Sequence, residues 1–417
     1  MTVGNGARPW VHKAAAALAI LGLAGSAAAD GLHGRLAVTG SGAWTPADSY
    51  DTALGWPASG ALTTDLRLQW QAAQGPWTVD LHYHLTAETG SAVELARARG
   101  ATAVPPATYF DLSTTLTDSG RTRAMQQIDR LSLSYASGPL VVKLGRQALT
   151  WGAGQVFHPM DLVDPFAPEA TDTEYKPGVD MAYLQWLLPD GSDLQAVWVP
   201  RPEVTGGPVS PDASTVALHY RRDFGALGTT VLLGRDHGDT TLGLGLSGSL
   251  GGAAWNMEVV PTWADDGTRW TSALANISTA TTLAGRNATV FAELYLNGFG
   301  ATTNGTALDM LPPALAARLA RGQLYATSRH YLAAGMTLEW TPLVTLSPGL
   351  VLNLDDGSAL FAPSLHWSLS DITALDISAS VPTGRTGTEF GGLPLTTGAT
   401  TYAVPPKSVD LRFTWHF

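Results

Sequence analysis

The sequence predicts an all-β protein, a transmembrane antiparallel up-and-down β-barrel of about 18 strands, with 16 as the alternative count. Three observations lead to this fold class. The composition is apolar, since 45% of the 417 residues are hydrophobic and only 14% are charged. After the N-terminus, no run approaches the roughly 20 apolar residues of a membrane-spanning helix. Many short segments instead alternate apolar and polar residues, and a closed barrel also crosses a bilayer with every backbone group paired.

The first 29 residues have the layout of a secretory signal peptide. Basic residues precede the apolar run AAAALAILGLAG, and Ala27 and Ala29 supply the small residues of a cleavage site. We expect cleavage after Ala29, which leaves residues 30–417 as a single outer-membrane β-barrel domain. The chain contains no cysteine, so disulfide frameworks and thiolate metal sites are excluded.

The alternating segments have the period of two that is typical of β-strands. In TLGLGLSGSL (241–250) the four leucines fall on one face, and Gly243, Gly245, Ser247 and Ser249 fall on the other. LTTDLRLQW (62–70) and VDLHYHL (79–85) follow the same pattern, with charged residues and histidines on the polar face. Because a soluble sandwich would alternate in the same way, the choice of a barrel depends on the number of strands and on the end of the chain.

The connections between the predicted strands sort by length, which supports a count of 18. The even-numbered connections are all short turns: QGP, SGP, PDGS, DFGA, GG, AGRN, TPLV and SDIT. All the long ones are odd-numbered, and the longest are 45–60, 88–122, 152–178, 298–328 and 384–406. Short periplasmic turns and long outer loops are typical of bacterial outer-membrane barrels. The strand at 270–283 is weakly patterned, which keeps 16 strands as an alternative.

The last ten residues, SVDLRFTWHF, end the chain with an alternating aromatic strand. This segment resembles the C-terminal strand of bacterial outer-membrane barrels, in which the final Phe is part of an assembly signal. The resemblance implies a location in the outer membrane of Gram-negative bacteria, among its lipid and lipopolysaccharide, and recognition by the outer-membrane assembly machinery. The residues that would carry the signal are Phe413, Trp415 and Phe417.

The segment from Trp151 to Asp172, WGAGQVFHPMDLVDPFAPEATD, interrupts the alternation with three prolines, so it is neither a central strand nor a continuous helix. Together with the preceding KLGRQALTWG it resembles a segment of proteobacterial porin-like proteins, without indicating a defined family. It lies between the fifth and sixth predicted strands, where general porins carry the loop that narrows the lumen. We expect loop 152–178 to fold inward, with constriction carboxylates at Asp161, Asp164, Glu169, Asp172 and Glu174. The alternative is a surface loop whose acids contact water or calcium-bridged lipid headgroups.

The parity of the strands also assigns charged residues to the pore lumen. The early strands and the last one contribute the basic residues Arg35, Arg67, Arg130, Lys143, Arg221 and Arg412. The later strands contribute the acidic residues Glu258, Glu293, Glu339 and Asp376. Two opposed arcs of this kind would create a field across the lumen that orients dipolar solutes. The alternative is local neutralisation of the basic residues by Asp65, Asp80 and Asp410.

A barrel of 18 strands is wide enough to enclose a water-filled channel. The sequence therefore predicts a porin-like channel for passive or substrate-selective passage of small hydrophilic solutes. One alternative is export of an anionic polysaccharide. The formal net charge of -11 and the acidic loop argue against it. Another is an outer-membrane barrel enzyme, for which the chain shows no nucleophile motif. We predict no catalytic residue, no cofactor, no metal and no nucleic-acid partner, and homo-oligomerisation is left open.

Overall fold

A computed structural model describes residues 31–100, 108–163, 165, 175–205, 207–301 and 305–417. The predicted signal peptide, 1–29, lies outside the described residues. So do four of the predicted loop carboxylates: Asp164, Glu169, Asp172 and Glu174.

The first half of the described chain contains ten strands. They are β1 (Leu32–Trp44), β2 (Ala58–Gln74), β3 (Trp77–Gly90), β4 (Ser113–Ser119), β5 (Thr122–Ser137), β6 (Leu140–Gln147), β7 (Val179–Leu187), β8 (Asp193–Val199), β9 (Thr215–Phe224) and β10 (Leu227–Asp236). The second half contains β11 (Asp239–Leu250), β12 (Ala253–Trp263), β13 (Arg269–Leu283), β14 (Arg286–Leu296), β15 (His330–Thr341), β16 (Val344–Asn353), β17 (Ala359–Ser370), β18 (Thr373–Thr383), β19 (Leu393–Pro394), β20 (Tyr402–Ala403) and β21 (Lys407–His416).

Eighteen of these strands form a closed antiparallel barrel. Each pairs with its neighbours along the chain, and β1 closes the ring by pairing with both β2 and β21. The weakly patterned segment is β13, so the count is 18 and not 16. The remaining strands lie in outer loops: β4 pairs with the outer half of β5, and β19 pairs with β20. The fifth and sixth barrel strands are therefore β6 and β7.

The two rims of the barrel differ as the sequence predicts. At one rim, seven of the eight connections contain two residues, and 188–192 contains five. Glycines with positive φ occupy most of these turns, for example Gly75 and Gly138, because tight hairpins need a backbone conformation that other residues avoid. The other rim carries the long connections, up to 297–329.

The outer surface of the barrel is apolar. In β11, Leu244 and Leu246 are 50% and 42% exposed, whereas Gly243 and Gly245, on either side of Leu244, are buried on the inner face. Exposed aromatic side chains cluster near the rim with short turns: Trp77, Trp186, Phe224, Trp340, Trp367, Trp415 and Phe417. An apolar band bordered by aromatic residues is typical of a barrel that spans a bilayer.

In the described parts of the outer loops there are three short helices: α1 (Tyr50–Ala53), α2 (Ser91–Ala98) and α3 (Pro313–Ala320), the last preceded by a 3₁₀ turn at Leu308–Met310. The prolines and leucines of 308–322 predict α3, and its Leu315 is completely buried. No helix within the described ranges has the length and apolar character needed to cross a membrane.

The chain end is held where the barrel closes. Backbone hydrogen bonds run from Gly34 N to Phe417 O (2.7 Å) and from Phe417 N to Gly34 O (2.9 Å). The aromatic ring of Phe417 occupies the space where a side chain at position 34 would lie, because a Cβ there would be 2.2 Å from the ring. The ring also packs on Trp415, with centroids 4.8 Å apart.

Candidate functional site: the barrel lumen

The connection 148–178, which we call the inner loop, leaves β6 and contacts the inner face of β8 and β9. The indole Nε1 of Trp151 donates to Oε1 of Gln195 (2.8 Å), and its ring stacks on His219 with centroids 5.1 Å apart. His219 is buried next to Leu218, which is 47% exposed on the outer face. Because side chains alternate across a strand, the contact with Trp151 lies on the lumen side.

The loop then reaches the inner face of β12, β13 and β14. The carboxylate of Glu293 accepts three consecutive backbone N–H groups, those of Gln155 (2.5 Å), Val156 (3.0 Å) and Phe157 (2.9 Å). Glu258 accepts the N–H of Ala153. Strand parity in the sequence predicts that both glutamates lie in the pore lumen. They lie on the inner face, but the loop covers them, leaving 0% of Glu293 and 2% of Glu258 exposed.

Apolar contacts hold the same part of the loop. Phe157 stacks on Tyr295, with ring centroids 4.4 Å apart and planes 14° apart. Met160, 1% exposed, packs beside Gly243 of β11, where an added Cβ would lie 3.0 Å from its methyl carbon. The loop is part of both buried hydrophobic clusters of the barrel, one with Trp151 and Met160 and one with Phe157.

The two arms of the inner loop are joined by a buried ion pair. Nζ of Lys176 donates to Oδ2 of Asp161 at 2.5 Å, and also to the carbonyl of Leu149 at 2.6 Å. Both charged side chains are less than one-tenth exposed. Asp161 is one of the predicted constriction carboxylates, and its charge is paired within the loop itself.

The returning arm of the loop contacts the opposite wall, formed by β1, β2 and β5. The ring of Tyr175 lies against two guanidinium groups, with Arg35 and Arg67 each 4.7 Å from its centroid. Arg130 donates to the carbonyl of Lys176. The inner loop therefore contacts both sides of the barrel interior.

A β-bulge in β5 places two adjacent charged residues at this wall. The pairing of β3 with β5 passes from His82–Arg130 to Tyr83–Ile128, and Asp129 is left over. The carboxylate of Asp129, 4% exposed, accepts from Arg67 (3.1 Å) and Arg130 (3.2 Å). Asp129 thus connects two of the predicted basic residues.

Most of the predicted lumen cations lie beside carboxylates one or two strands away. Arg35 contacts Asp65 (3.2 Å), Lys143 contacts Asp80 (3.6 Å), and Arg412 contacts Asp376 (3.3 Å). These pairs favour local neutralisation over two opposed arcs of charge. The two remaining residues of the set, Arg221 and Glu339, are exposed near the rim with short turns.

Another buried carboxylate, Glu389 in the connection 384–406, is not indicated by the sequence pattern. It accepts the N–H of Thr327 (2.6 Å), the hydroxyl of Tyr331 (2.6 Å) and the amide of Asn353 (2.7 Å). Burial raises the pKa of Glu389, although these hydrogen bonds oppose the shift. The neighbouring Phe390 packs on the cluster that contains Phe157, so this outer loop and the inner loop meet at one wall.

Other residues that shape the lumen wall or hold the inner loop had little or no signal in the sequence. Two adjacent charged residues, Asp129 and Arg130, break the alternation of β5, and such a break indicates a bulge. Nothing in the alternation of β13 distinguishes Asn276, whose amide donates to the carbonyl of Ala153 (2.8 Å). Among the described residues, no cluster of three or more His, Asp or Glu side chains could hold a metal ion.

The fold and the loop define a porin-type outer-membrane barrel, and comparison with solved structures agrees. The chain is similar to OccAB2 of Acinetobacter baumannii (10% identity, 93% of this chain and 98% of that chain covered, TM-score 0.55). It is also similar to OccK5 (OpdH) of Pseudomonas aeruginosa (9%, 93% and 98%, TM-score 0.54) and to a BenF-like porin of Pseudomonas fluorescens Pf-5 (10%, 93% and 98%, TM-score 0.53). At these identities the likeness establishes the fold. No family model and no curated protein matches the sequence.

Proposed function

We propose that the protein is an outer-membrane channel for passive or substrate-selective passage of small hydrophilic solutes. The observation that carries the proposal is the inner loop, which is tied to both walls inside a closed 18-stranded barrel. A loop held in the lumen narrows a channel without closing it and gives it a cross-section that can select solutes. The similarity in fold to a BenF-like porin supports the same class.

We propose that solutes pass along the wall formed by β1, β2, β3, β5, β18 and β21. Residues 151–163 of the inner loop and Phe390 pack on the inner face of β8 to β15. The described residues that reach the opposite side belong to the returning arm, 175–178, so we place the aqueous path beside that arm. That side carries two partly exposed ion pairs, Arg67 with Asp129 and Arg412 with Asp376, whereas Arg35 is buried against Tyr175. Alternating charges in a confined aqueous space favour polar solutes over apolar ones, because only polar solutes interact favourably with both signs.

We separately propose that the inner loop forms the constriction of the channel. Asp161 is neutralised by Lys176, so the ion preference depends on the other predicted carboxylates: Asp164, Glu169, Asp172 and Glu174. Changing these four residues to Asn or Gln shifts selectivity toward anions. The shift is larger at low salt than at 1 M, where the Debye length is ~3 Å.

The alternatives of polysaccharide export and enzymatic activity are less well supported. A polymer in transit needs a wide, continuous bore, and the inner loop crosses the lumen between the two walls. The negative groups of the polysaccharide would also meet lumen cations that are already paired with carboxylates. The relatives in fold that carry a functional name are porins, not enzymes.

The channel proposal is tested with purified protein in planar bilayers and in liposome-swelling assays with sugars, amino acids and organic acids. We expect discrete conductance steps and swelling that depends on the solute. Absence of both, in protein that shows the heat-dependent gel mobility of a folded barrel, would contradict the proposal. A lipase assay on the same sample addresses the enzyme alternative.

We further propose that residues 1–29 are removed during export and that Phe413, Trp415 and Phe417 act in recognition by the outer-membrane assembly machinery. The three aromatic side chains lie on the outer face of β21 or at its end, each 40% or more exposed. The apolar band would contact outer-membrane lipid and lipopolysaccharide. The oligomeric state is measured on the same purified protein by cross-linking.

A further inference from the structure

The turn of the inner loop at 153–157 is shaped to hold an anion. Three successive backbone N–H groups, from Gln155 to Phe157, point at one carboxylate, that of Glu293. Concave arrangements of successive N–H groups are anion-binding structures in proteins. The turn closes tightly at Gly154, where a Cβ would lie 1.7 Å from the carbonyl oxygen of Phe157.

The strands complete the arrangement on the other side. The Asn276 amide donates both to the carbonyl of Ala153 (2.8 Å) and to Oε2 of Glu293 (3.1 Å). Glu293 therefore receives four hydrogen bonds while it is fully buried. A buried carboxylate without donors is unfavourable, and so are buried N–H groups without an acceptor, so the two sides stabilise each other.

We propose that Glu293 is a positioning residue of the pore, and that the turn 153–157 is a site for a small carboxylate, occupied by this side chain. By holding the turn against β14, Glu293 keeps the inner loop in one place and the cross-section of the lumen constant. The part of this inference that concerns the cross-section rests on the proposed channel function. The part that concerns the carboxylate site does not.

The first test measures whether the loop stays in place. The chain has no cysteine, so Met160→Cys introduces a single thiol at a position of the inner loop that is 1% exposed and faces β11. In this background Glu293→Ala should accelerate labelling by a water-soluble maleimide by at least about tenfold, the change expected from losing one charge-assisted hydrogen bond. The matched control is Glu339→Ala, which removes a glutamate from the next strand, β15, where its partner is Asn287.

The second test fills the vacated site. Acetate should slow the labelling of the Glu293→Ala variant toward the original rate, because it supplies a carboxylate of the right size to the three N–H groups. A bulky sulfonate at the same ionic strength should not. Acetate should leave the Glu339→Ala control unchanged.

The third readout separates this inference from the proposed function. Single-channel records of Glu293→Ala should show increased current noise that acetate reduces. Faster labelling with unchanged current supports the carboxylate site and contradicts the loop as the constriction. Labelling equal to that of Glu339→Ala overturns the inference. If Glu293→Ala does not assemble, Glu293→Gln carries the labelling and current measurements, with intermediate labelling expected because its NH₂ group faces a donor, and acetate should have no effect because the amide still fills the site.

Discussion

At the residue scale, the wall formed by β1, β2 and β5 depends on the negative charge of Asp129. Its carboxylate lies between Arg67 and Arg130 and also accepts the N–H of Gly178 (3.3 Å), where the inner loop rejoins the barrel. The bulge in β5 is what turns both Asp129 and Arg130 toward the lumen. A strand without the bulge would direct one of them to the lipid.

We therefore expect Asp129→Ala to destabilise the barrel by about 3–5 kcal/mol, the range found when one partner of a buried ion pair is removed. The reason is that Arg67, with 12% of its side chain exposed, would keep its charge with too few acceptors. The free energy of unfolding in lipid vesicles measures the effect. The control is Asp265→Ala, which breaks an exposed pair with Arg235 and should cost less than about 1 kcal/mol. Equal losses in the two variants would contradict this view.

Glu389 should make stability depend on pH. Its folded-state pKa is raised by burial above the ordinary value of about 4.3. A raised pKa means that the folded protein holds the proton more tightly, so the contribution is complete below the unfolded pKa and decreases as pH rises through the folded pKa.

We expect the free energy of unfolding of the natural protein, relative to that of Glu389→Gln, to decrease as pH rises from 4 toward 8. Other titrations cancel in this comparison because both proteins share them. Unfolding curves at a series of pH values provide the measurement. A difference that grows with pH would show that the hydrogen bonds from Thr327, Tyr331 and Asn353 dominate over burial.

At the scale of elements, the seam between β1 and β21 depends on a glycine. The ring of Phe417 lies where a side chain at Gly34 would be. An added methyl group must displace the ring from its contact with Trp415.

Gly34→Ala should therefore destabilise the closed barrel by about 1–3 kcal/mol, as overpacking does, and lower the yield of protein with heat-dependent gel mobility. Gly40→Ala is the matched control, because a Cβ at this position of the same strand meets nothing within 4 Å. Both variants are compared by gel mobility after expression. Equal yields would rule out a requirement for space at position 34.

The elements differ in how far the sequence predicts them. The strands could be predicted because one face meets lipid and the other water, which forces a period of two on segments such as β11. Parity also assigns Arg412 and Asp376 to the lumen, but to opposed arcs of charge, whereas the register makes them direct cross-strand partners. The strand β4 could not be predicted, because it belongs to an outer hairpin with no lipid to impose alternation on it.

The contacts of the inner loop could not be predicted from the sequence either. That Glu258 and Glu293 face inward follows from strand parity, but the N–H groups of the loop that cover them come from 105 to 138 residues earlier in the chain. Backbone groups carry no residue signature, so no pattern of side chains indicates which carboxylate they meet. The pairing of Asp161 with Lys176 depends on the path of the loop and could not be read from their spacing.

At the scale of the whole molecule, the different lengths of the connections at the two rims predict the orientation of the barrel in the membrane. Gly225 lies in a two-residue turn and Gly398 in the connection 384–406, and a Cβ at either position meets nothing within 4 Å. Both sites should therefore accept an epitope without disturbing the barrel.

An epitope after Gly398 should bind antibody on intact cells, and one after Gly225 should bind only after the outer membrane is permeabilised. The expectation follows from short periplasmic turns and long outer loops. The opposite pattern of binding would reverse the orientation. Binding at both sites on intact cells would indicate that the barrel had not formed.

We propose that the inner loop sets the cross-section of the channel. The most direct test is the single-channel conductance of a variant in which the residues between Gly154 and Lys176 are replaced by a short Gly/Ser linker, compared with the natural protein in the same salt. Because the narrowest section dominates the resistance of a water-filled pore, we expect a higher conductance and weaker discrimination among solutes. Unchanged conductance and selectivity, in a variant that assembles normally, would contradict it.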